Sequence, residues 1–378
     1  MKILIVSEQK RYTTLVTELR KKHHVDYLYH GTKWNSNKCD YEIPRVFGKY
    51  LCFSVLATLL THYLLLTRRY DYCLTDYISS LRPLLIALLP NCINRTRFVY
   101  DVRTIPVGYN HKTAKSVQRR FFTNLRFANS FYQGISLITT RMKTHIQKNY
   151  LPLAKPLCIW GSGVNTSIFK PLPKNMALKR ELGFNDNDFV CFYHGSISKT
   201  RGIIDLIDAI LRFQGSSADI KLLLLGTISR FDDTLQEINE RTPNPLIKLR
   251  EWVDYSVVPE FISISDLCIV PLPDIEWWRV SSPLKLMEYI ACGKNILLSD
   301  ISAHTDILGK KNGCYWVSQV TPESLAYRIE GAHKSFITNP ESYYRQGLEL
   351  REILLNDVSI QSRVQILLDF FSGLSEVG

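Results

Sequence analysis

The most informative segment of the chain reads Ser281-Ser282-Pro283-Leu284-Lys285-Leu286-Met287-Glu288-Tyr289-Ile290-Ala291-Cys292-Gly293. Its ends carry helix signals, because Ser282 is a good N-cap residue and Pro283 suits the first helical position. Gly293 suits the position just after a helix, where a left-handed backbone is common. The segment therefore predicts a helix that starts after Ser282 and stops before Gly293.

The start of this predicted helix is a candidate phosphate site. It follows an apolar run, Leu267–Val270, which predicts a buried strand. Free main-chain N–H groups and the positive end of the helix dipole favour an anion at such a start. Glu288 lies one turn inside, on the face of Leu284, where its carboxylate can accept hydrogen bonds from ribose hydroxyls. The plain alternative is a capped amphipathic helix whose Glu288 faces solvent, and this segment alone leaves both open.

A second segment, Tyr193-His194-Gly195-Ser196-Ile197-Ser198-Lys199-Thr200-Arg201-Gly202, joins an apolar strand pattern to a helical one. Arg201 opens that helix, and a guanidinium there can hold a diphosphate through two parallel hydrogen bonds. Gly195 lets the main chain approach a ligand closely. Basic loops between strands and helices are also common without any ligand, so both interpretations stay open for this loop taken alone.

Short apolar runs alternate with helical patterns along the chain, from Lys2–Val6 to Gly313–Val317. Continuous apolar strands in such an alternation predict parallel sheets that helices cover on both faces. We expect two Rossmann-like, doubly wound α/β domains that face a central cleft. The alternation breaks at 161–187, a stretch with several glycines and prolines, which indicates a boundary near Phe169. The predicted domains are 1–168 and 169–350, followed by a C-terminal helix, 351–378, that packs back on the N-terminal domain.

Composition narrows the class of protein. The chain has 378 residues, 46% of them hydrophobic and 22% charged, which is ordinary globular composition. The nine cysteines are scattered, which argues against a disulfide framework or a zinc site and indicates a reducing, cytosolic compartment. The N-terminus is typical of a buried strand rather than of a signal peptide. Tyr50–Thr67 is rich in leucine but short for a membrane span, and it predicts a buried or interfacial helix.

The formal net charge of +12 is concentrated in the N-terminal part of the chain. The first 165 residues hold roughly 25 Lys and Arg against roughly 8 Asp and Glu. Such an excess favours a membrane surface or nucleic acid as partner, but no nucleic-acid-binding motif is present. The basic segment 111–127 carries Phe121, Phe122 and Leu125 in one stripe, a pattern that suits a helix on a membrane surface. An ordinary surface helix whose Phe residues lie in the core is the equal alternative.

Taken together, these motifs resemble the retaining, two-lobed (GT-B) glycosyltransferases of family 4, the glycosyltransferases group 1 type. The pieces that match, in the family's order, are Gly163-Val164-Asn165, Phe169-Lys170-Pro171, Gly195–Gly202, Leu222–Gly226, Trp252-Val253, Val258–Phe261, Ser265–Leu272 and Ser282–Tyr289 with Gly293. The resemblance covers roughly residues 95–335, and the first 90 residues match only in pattern.

The resemblance implies that the C-terminal domain binds a nucleotide-diphosphate sugar and that the N-terminal domain binds the acceptor. The implied donor-binding residues are Gly195, Ser196, Trp252, Val253, Ser281, Ser282, Leu284, Lys285 and Glu288. Glu288 would hold the ribose, and the main-chain N–H groups of Leu284 and Lys285 would meet the diphosphate. Trp252 and Val253 stand where the family's main chain contacts the base.

The chain departs from the family pattern at several positions. The family's Glu-x7-Glu pair has Val280 in its first place, so recognition of the donor sugar must differ. The family's phosphate-binding Arg falls on Ser196, and Lys199 is the expected compensating cation. Arg201 replaces the family's phosphate-binding Lys. The glycine-rich loop that often follows the first strand is replaced by Ser7-Glu8-Gln9, so the resemblance does not extend to a contact there.

The implied reaction is hexosyl transfer, with retention, from a nucleotide-diphosphate sugar such as a UDP or GDP sugar. The expected acceptor is a lipid-linked or polysaccharide-precursor glycan, bound by a cytoplasmic, peripheral membrane enzyme. The residues expected to serve catalysis are Glu288, which holds the ribose, and Arg201, Lys199 and Arg103, which act on the leaving diphosphate. No Asp-x-Asp stands at a strand end in a binding loop, so neither a metal nor a tightly bound cofactor is expected. The rival interpretations are another GT-B enzyme, an epimerase or phosphorylase, and a non-catalytic glycosyltransferase-like subunit.

Overall fold

The computed structural model describes residues 1–7, 12–30, 40–43, 50–76, 96–106, 111–216, 219–229, 233–309 and 311–376. The chain divides into two compact units. The first comprises Met1–Ser162, Val280–Ser282 and Ile360–Gly378, and the second comprises Gly163–Arg279 and Pro283–Ser359. The sequence placed the main boundary at 168/169 and a C-terminal segment from 351. Glu8 and Gln9, which replace the glycine-rich loop, lie outside the described residues.

The first unit is built on a seven-stranded sheet in the order β3-β2-β1-β4-β5-β6-β7, in which every paired strand is parallel. Its elements up to the last strand are β1 (Lys2–Ser7), α1 (Tyr12–Leu19), β2 (His24–His30), β3 (Tyr41–Ile43), α2 (Tyr50–Thr67), β4 (Tyr72–Asp76), β5 (Arg97–Val102), α3 (His111–Phe131), β6 (Gly134–Leu137), α4 (Thr140–Asn149) and β7 (Leu157–Ile159). The strands are apolar on both faces, because helices cover both sides of a parallel sheet.

The second unit is built on a six-stranded parallel sheet in the order β10-β9-β8-β11-β12-β13. Its elements are α5 (Met176–Glu181), β8 (Phe189–His194), a 3-10 turn (Lys199–Arg201), α6 (Ile203–Leu211), β9 (Ile220–Leu225), α7 (Thr234–Arg241), β10 (Ile247–Arg250), α8 (Val258–Ser263), β11 (Leu267–Val270), α9 (Glu276–Arg279), α10 (Leu284–Ala291), β12 (Asn295–Ser299), α11 (Ser302–Leu308), β13 (Cys314–Val317), α12 (Pro322–Thr338) and α13 (Pro340–Val358). The central strands β8 and β11 are buried along their whole length.

The last helix, α14 (Ile360–Glu376), belongs to the first unit. It packs on α1, where Gln361 Nε2 donates to Glu18 Oε2 at 3.3 Å. The ring of Phe371 stacks on Tyr72 of β4 with 4.5 Å between centroids. The predicted fold class is confirmed: two parallel α/β sheets, with the C-terminal helix on the N-terminal part of the chain.

The basic segment 111–127 forms part of helix α3, whose burial distinguishes a membrane-surface helix from an ordinary surface helix with Phe residues in the core. Its Phe121 and Leu125 are buried in the first unit, at 1% and 0% exposure, and Phe121 packs edge-on against Tyr150. The apolar stripe of this helix therefore serves the core, as the surface-helix alternative requires.

Helix α2, the leucine-rich segment, has two faces. Leu64 and Leu65 are buried, whereas Leu59, Tyr63 and Leu66 are 60%, 62% and 50% exposed. Among the helices of the described residues, none is long and apolar enough to cross a membrane. An apolar row at positions 59, 63 and 66 is therefore left on the outer face of this helix.

Candidate functional site

The loop after β8 is held in place by main-chain hydrogen bonds to the last residue of β9 and to the segment that follows it. Gly195 N donates to Leu225 O at 2.8 Å, and Ile197 N donates to Thr227 O at 2.9 Å. Gly195 has φ +109°, a conformation that favours glycine. A Cβ at Gly226 would lie 1.9 Å from Gly195 O, so only glycine fits there. These contacts fix the course of the loop at the carboxyl end of the sheet, where ligands bind in open α/β folds.

Glu288 of α10 is buried, with 2% of its surface exposed, so the alternative that it faces solvent is wrong. Its Oε2 lies 2.7 Å from His194 Nε2, and its Oε1 accepts from the Tyr255 hydroxyl at 2.6 Å. Burial, followed by the charge and hydrogen bond of Glu288, raises the pKa of Tyr255 well above its usual range, which keeps this hydroxyl a donor. A carboxylate can accept about four hydrogen bonds, so acceptor capacity is left for a ligand.

His194, the last residue of β8, links Glu288 to the next residue of α10. The Tyr289 hydroxyl accepts from the His194 main-chain N–H at 3.1 Å and lies 2.9 Å from His194 Nδ1. One tautomer satisfies all of these contacts: Nε2–H donates to Glu288, and Nδ1 accepts from Tyr289. The acid of α10 is thus oriented by a strand-end histidine rather than by its own helix.

Two cations approach the ring and hydroxyl of Tyr193. Lys285 Nζ donates to the Tyr193 hydroxyl at 2.6 Å and lies 3.9 Å from the ring centroid. Burial raises the pKa of Tyr193 to about 12, and the nearby Arg201 partly opposes this rise. Arg201 in turn stacks on the Trp278 ring at 4.7 Å, and Trp278 Nε1 donates to Thr200 O at 2.8 Å. Lys285 and Arg201 therefore share one aromatic neighbour beside the 195–202 loop.

Lys199, the cation expected to compensate for Ser196, is paired with acids of α7 and its N-cap. Its Nζ lies 2.6 Å from Glu237 Oε1 and 3.6 Å from Asp233 Oδ2, and the side chain is 55% exposed. These bonds raise the pKa of Lys199. The ammonium already has two carboxylate partners, so it is a poor candidate for a second anion.

Trp252 and Val253 follow β10, the edge strand of the second sheet. Trp252 is 68% exposed, whereas Val253 packs on the core of the second unit. Tyr255, which binds Glu288, stands two positions further along, and its ring lies 4.9 Å from that of Phe169. The segment therefore connects an exposed indole to the buried acid of α10.

Ser281, Ser282 and Arg103 belong to the first unit. The prediction that Ser282 caps α10 is wrong, because its Oγ accepts from Ser162 N at 3.0 Å and Pro283 occupies the N-cap without a side-chain bond. The helix begins at Leu284, and Gly293 follows it with φ +68° as predicted.

Arg103 is nearly buried, at 6% exposure, and serves the packing of the first unit. Its NH1 donates to Trp160 O at 2.7 Å, and its guanidinium lies 4.0 Å from the Trp160 ring centroid. Arg103 Nε also stands 3.9 Å from Asp101 Oδ2. These contacts give the Arg103 side chain hydrogen-bonding and packing partners inside the first unit.

The three side chains that orient Glu288 were not singled out as functional from the sequence. For His194 and Tyr289 a signal existed, because one is the last residue of a strand in the candidate loop and the other adjoins the acid. For Tyr255 there was none, since it reaches Glu288 from a position 33 residues earlier along the chain. The described residues contain no group of His, Cys, Asp and Glu side chains that could hold a metal ion.

Residues 175–346, somewhat under half of the chain, match the family model of the glycosyl transferases group 1. The match spans the loop, the oriented acid and the two cations of the second unit, and it confirms the resemblance that the motifs indicated. No curated protein sequence matches the chain.

Solved structures with the same fold cover the chain from end to end. A glycosyltransferase from Rickettsia africae is 16% identical over 100% of this chain and 99% of its own, with a TM-score of 0.75. A sucrose-phosphate synthase from Thermosynechococcus elongatus is 14% identical over 100% of both chains, with a TM-score of 0.74. HepE of Anabaena, solved in complex with UDP-glucose, is 15% identical over 100% of both chains, with a TM-score of 0.73. At these identities the likeness shows the fold.

Proposed function

We propose that the protein is a retaining hexosyltransferase that uses a nucleotide-diphosphate sugar, with its donor site in the second unit. The observation that carries the proposal is the grouping of Arg201, Lys285 and the oriented acid Glu288 beside the Gly195 loop. Cations suit a diphosphate, and a buried carboxylate with spare acceptor capacity suits ribose hydroxyls.

The distribution of roles follows the chemistry of these groups. Glu288 accepts hydrogen bonds from the ribose, and His194 and Tyr255 keep its carboxylate in place. The first turn of α10 presents the main-chain N–H groups of Leu284 and Lys285 to the diphosphate. The exposed Trp252 lies at the end of the sheet where the base would bind. HepE, which has the same fold, binds UDP-glucose, and this supports a UDP sugar as the first donor to test.

The reaction needs the leaving diphosphate stabilised while a positively charged sugar centre develops. Arg201 and the start of α10 supply that stabilisation. Retention follows if the acceptor attacks from the face that the diphosphate leaves, with a phosphate oxygen taking the acceptor proton. On this path the protein provides no nucleophile and no metal; its contribution is charge and position.

For the acceptor we propose a lipid-linked or polysaccharide-precursor glycan at the cytoplasmic membrane face. Two features of the first unit support this: the excess of Lys and Arg in the first 165 residues, and the exposed row Leu59, Tyr63 and Leu66 on α2. Exposed apolar side chains next to a basic residue, here Arg69, suit a helix that lies on an anionic bilayer.

A thermal-shift screen with UDP, GDP, CDP, ADP and dTDP tests the donor site. A ligand that binds only the folded state, present at about 100 times its Kd, adds about 2.7 kcal/mol of stability. We expect one of the five to raise the melting temperature clearly and the others less. If none of them stabilises the protein, the proposed donor site is wrong. Stabilisation without any transfer of sugar would instead favour a non-catalytic subunit, for which Val280 and Ser196 already speak.

A further inference from the structure

The resemblance implies a phosphate-binding Arg at the position of Ser196, and a positive charge does lie beside this serine. Tyr193 donates its hydroxyl hydrogen to Ser196 O at 2.7 Å and accepts from Lys285 Nζ at 2.6 Å. A side chain built on Gly195 would begin 3.4 Å from the same Nζ. The ammonium of Lys285 therefore lies against the Gly195–Ser196 turn, although Lys285 belongs to α10 and stands far from this turn along the chain.

The charges around this ammonium are unbalanced. Burial, followed by repulsion from Arg201, lowers the pKa of Lys285 well below its usual range, and Glu288 opposes this only in part. Within the described chain, neither Lys285 nor Arg201 forms an ion pair with a carboxylate. Two like charges held near one tyrosine, neither of them paired directly with a carboxylate, repel each other, and a bound anion relieves the repulsion. A diphosphate has the charge and the length to meet both.

Lys199, the other candidate, differs from Lys285 because its ammonium is paired with carboxylates. Its ammonium is matched by Glu237 and Asp233, which raise its pKa, so an incoming anion gains little from it. Of the two lysines near the loop, only Lys285 combines a close approach to Gly195 with an unmatched charge.

We infer that the Lys285 side chain supplies the second positive charge of the donor-diphosphate site, in place of the arginine that the resemblance implies at position 196, and that Lys199 does not supply it. This inference rests on the proposed function, because it names a ligand group for that site. Its new content is that an ammonium from α10, and not only the main-chain N–H groups of that helix, binds phosphate.

A pH dependence of nucleotide affinity follows. The groups that face Lys285 are Tyr193 of β8, Arg201, Glu288 of α10 and His304 of α11. Tyr193 titrates at about 12, and burial lowers the pKa of His304 to about 4, so both stay neutral in mildly alkaline solution. A bound diphosphate favours charged Lys285, whereas in the free protein its pKa is lowered. Affinity must therefore fall as the pH rises through the free-protein pKa of Lys285.

The test measures the Kd of UDP, GDP, CDP, ADP and dTDP, and of the matching nucleosides, by titration calorimetry. Lys285→Met keeps the length of the side chain without its charge, Lys199→Met tests the rival lysine, and Lys334→Met, an exposed site on α12, is the matched control. We expect Lys285→Met to weaken the binding diphosphate at least tenfold, which is about 1.4 kcal/mol, while nucleoside affinity changes less than twofold. Lys285→Arg should restore most of the loss. As the pH rises, affinity should fall more steeply for the wild type than for Lys285→Met.

The outcomes separate the two claims. If the wild type binds a nucleoside diphosphate and Lys285→Met binds it equally well, or if Lys199→Met loses the affinity instead, the inference about Lys285 is overturned and the donor site stands. An equal loss of nucleoside binding in Lys285→Met also overturns it, since the residue would then shape the site rather than bind phosphate. If the wild type binds none of the five, the proposed function itself fails. Circular dichroism of each variant checks the fold, and Lys285→Met should fold because it removes a poorly solvated charge.

Discussion

The carboxylate of Glu288 is oriented by donors from β8 and from the loop before α8, not by residues at helical spacing. Sequence patterns placed this acid on a helix and one turn inside it, because spacing along a helix is local information. They did not predict its burial or its partners, because His194 and Tyr255 lie 94 and 33 residues away along the chain and meet it only in the folded sheet. The same holds for Lys285, whose side chain reaches Tyr193 across 92 residues.

Removal of the Tyr255 hydroxyl is the sharpest test of the Glu288 environment. Tyr255→Phe leaves Glu288 Oε1 without the donor now at 2.6 Å. Hydrogen bonds to a buried charged group are worth about 1.5–3 kcal/mol, so we expect the free energy of unfolding to fall by about 2 kcal/mol. Urea unfolding measures it, with Tyr327→Phe as control because Tyr327 is 70% exposed. Equal stability of the two variants would contradict the assigned hydrogen bond.

At the scale of elements, local signals predicted where α10 lies but not what its first residues do. The helix begins at Leu284, one residue later than expected, and Gly293 follows it in a left-handed conformation. Ser282 carries a good N-cap side chain, yet it bonds to Ser162 of the first unit, a contact that helix propensity cannot foresee. Helix α3 makes the same point, since the Phe stripe that suited a membrane surface lies in the core.

The exposed row on α2 makes a prediction about membrane attachment. Wild-type protein should co-float with vesicles that contain about 30% anionic lipid at low ionic strength, and salt should release it because the basic surface is screened. Replacement of Leu59, Tyr63 and Leu66 by Ser should reduce the bound fraction several-fold, since three exposed apolar side chains no longer enter the bilayer.

The matched control for this experiment exchanges three apolar side chains of the second unit that are at least as exposed. Tyr327, Ile337 and Ile353 are 70%, 63% and 61% exposed, and their replacement by Ser should leave flotation unchanged. A wild-type protein that stays at the bottom of the gradient in low salt, or a loss of binding that is equal in both triple variants, would count against attachment through α2.

At the scale of the whole molecule, the alternation of strands and helices was enough to predict two parallel α/β units, because it repeats over the full length. The exact division was not predictable. The segment Val280–Ser282 belongs to the first unit although residues of the second flank it on both sides, and the last helix returns to the first unit only from Ile360. The order of elements along the chain does not show that a later segment will pack with an earlier unit. The family match to 175–346 lies within the second unit but for that short segment, and the motifs of the resemblance were densest there.

The central claim is that the second unit holds a sugar nucleotide for transfer, with Arg201 on the diphosphate and Glu288 on the ribose. The most direct measurement is the hydrolytic release of nucleoside diphosphate, with water accepting the sugar, from sugar nucleotides of the base that stabilises the protein. The rate is compared among the wild type, Arg201→Ala, Glu288→Ala and the control Lys334→Ala. We predict turnover by the wild type and the control, and a loss of about 10²-fold in each of the other two variants, as for removal of a group that stabilises a developing negative charge. Turnover near the wild-type rate in both Arg201→Ala and Glu288→Ala would contradict the account.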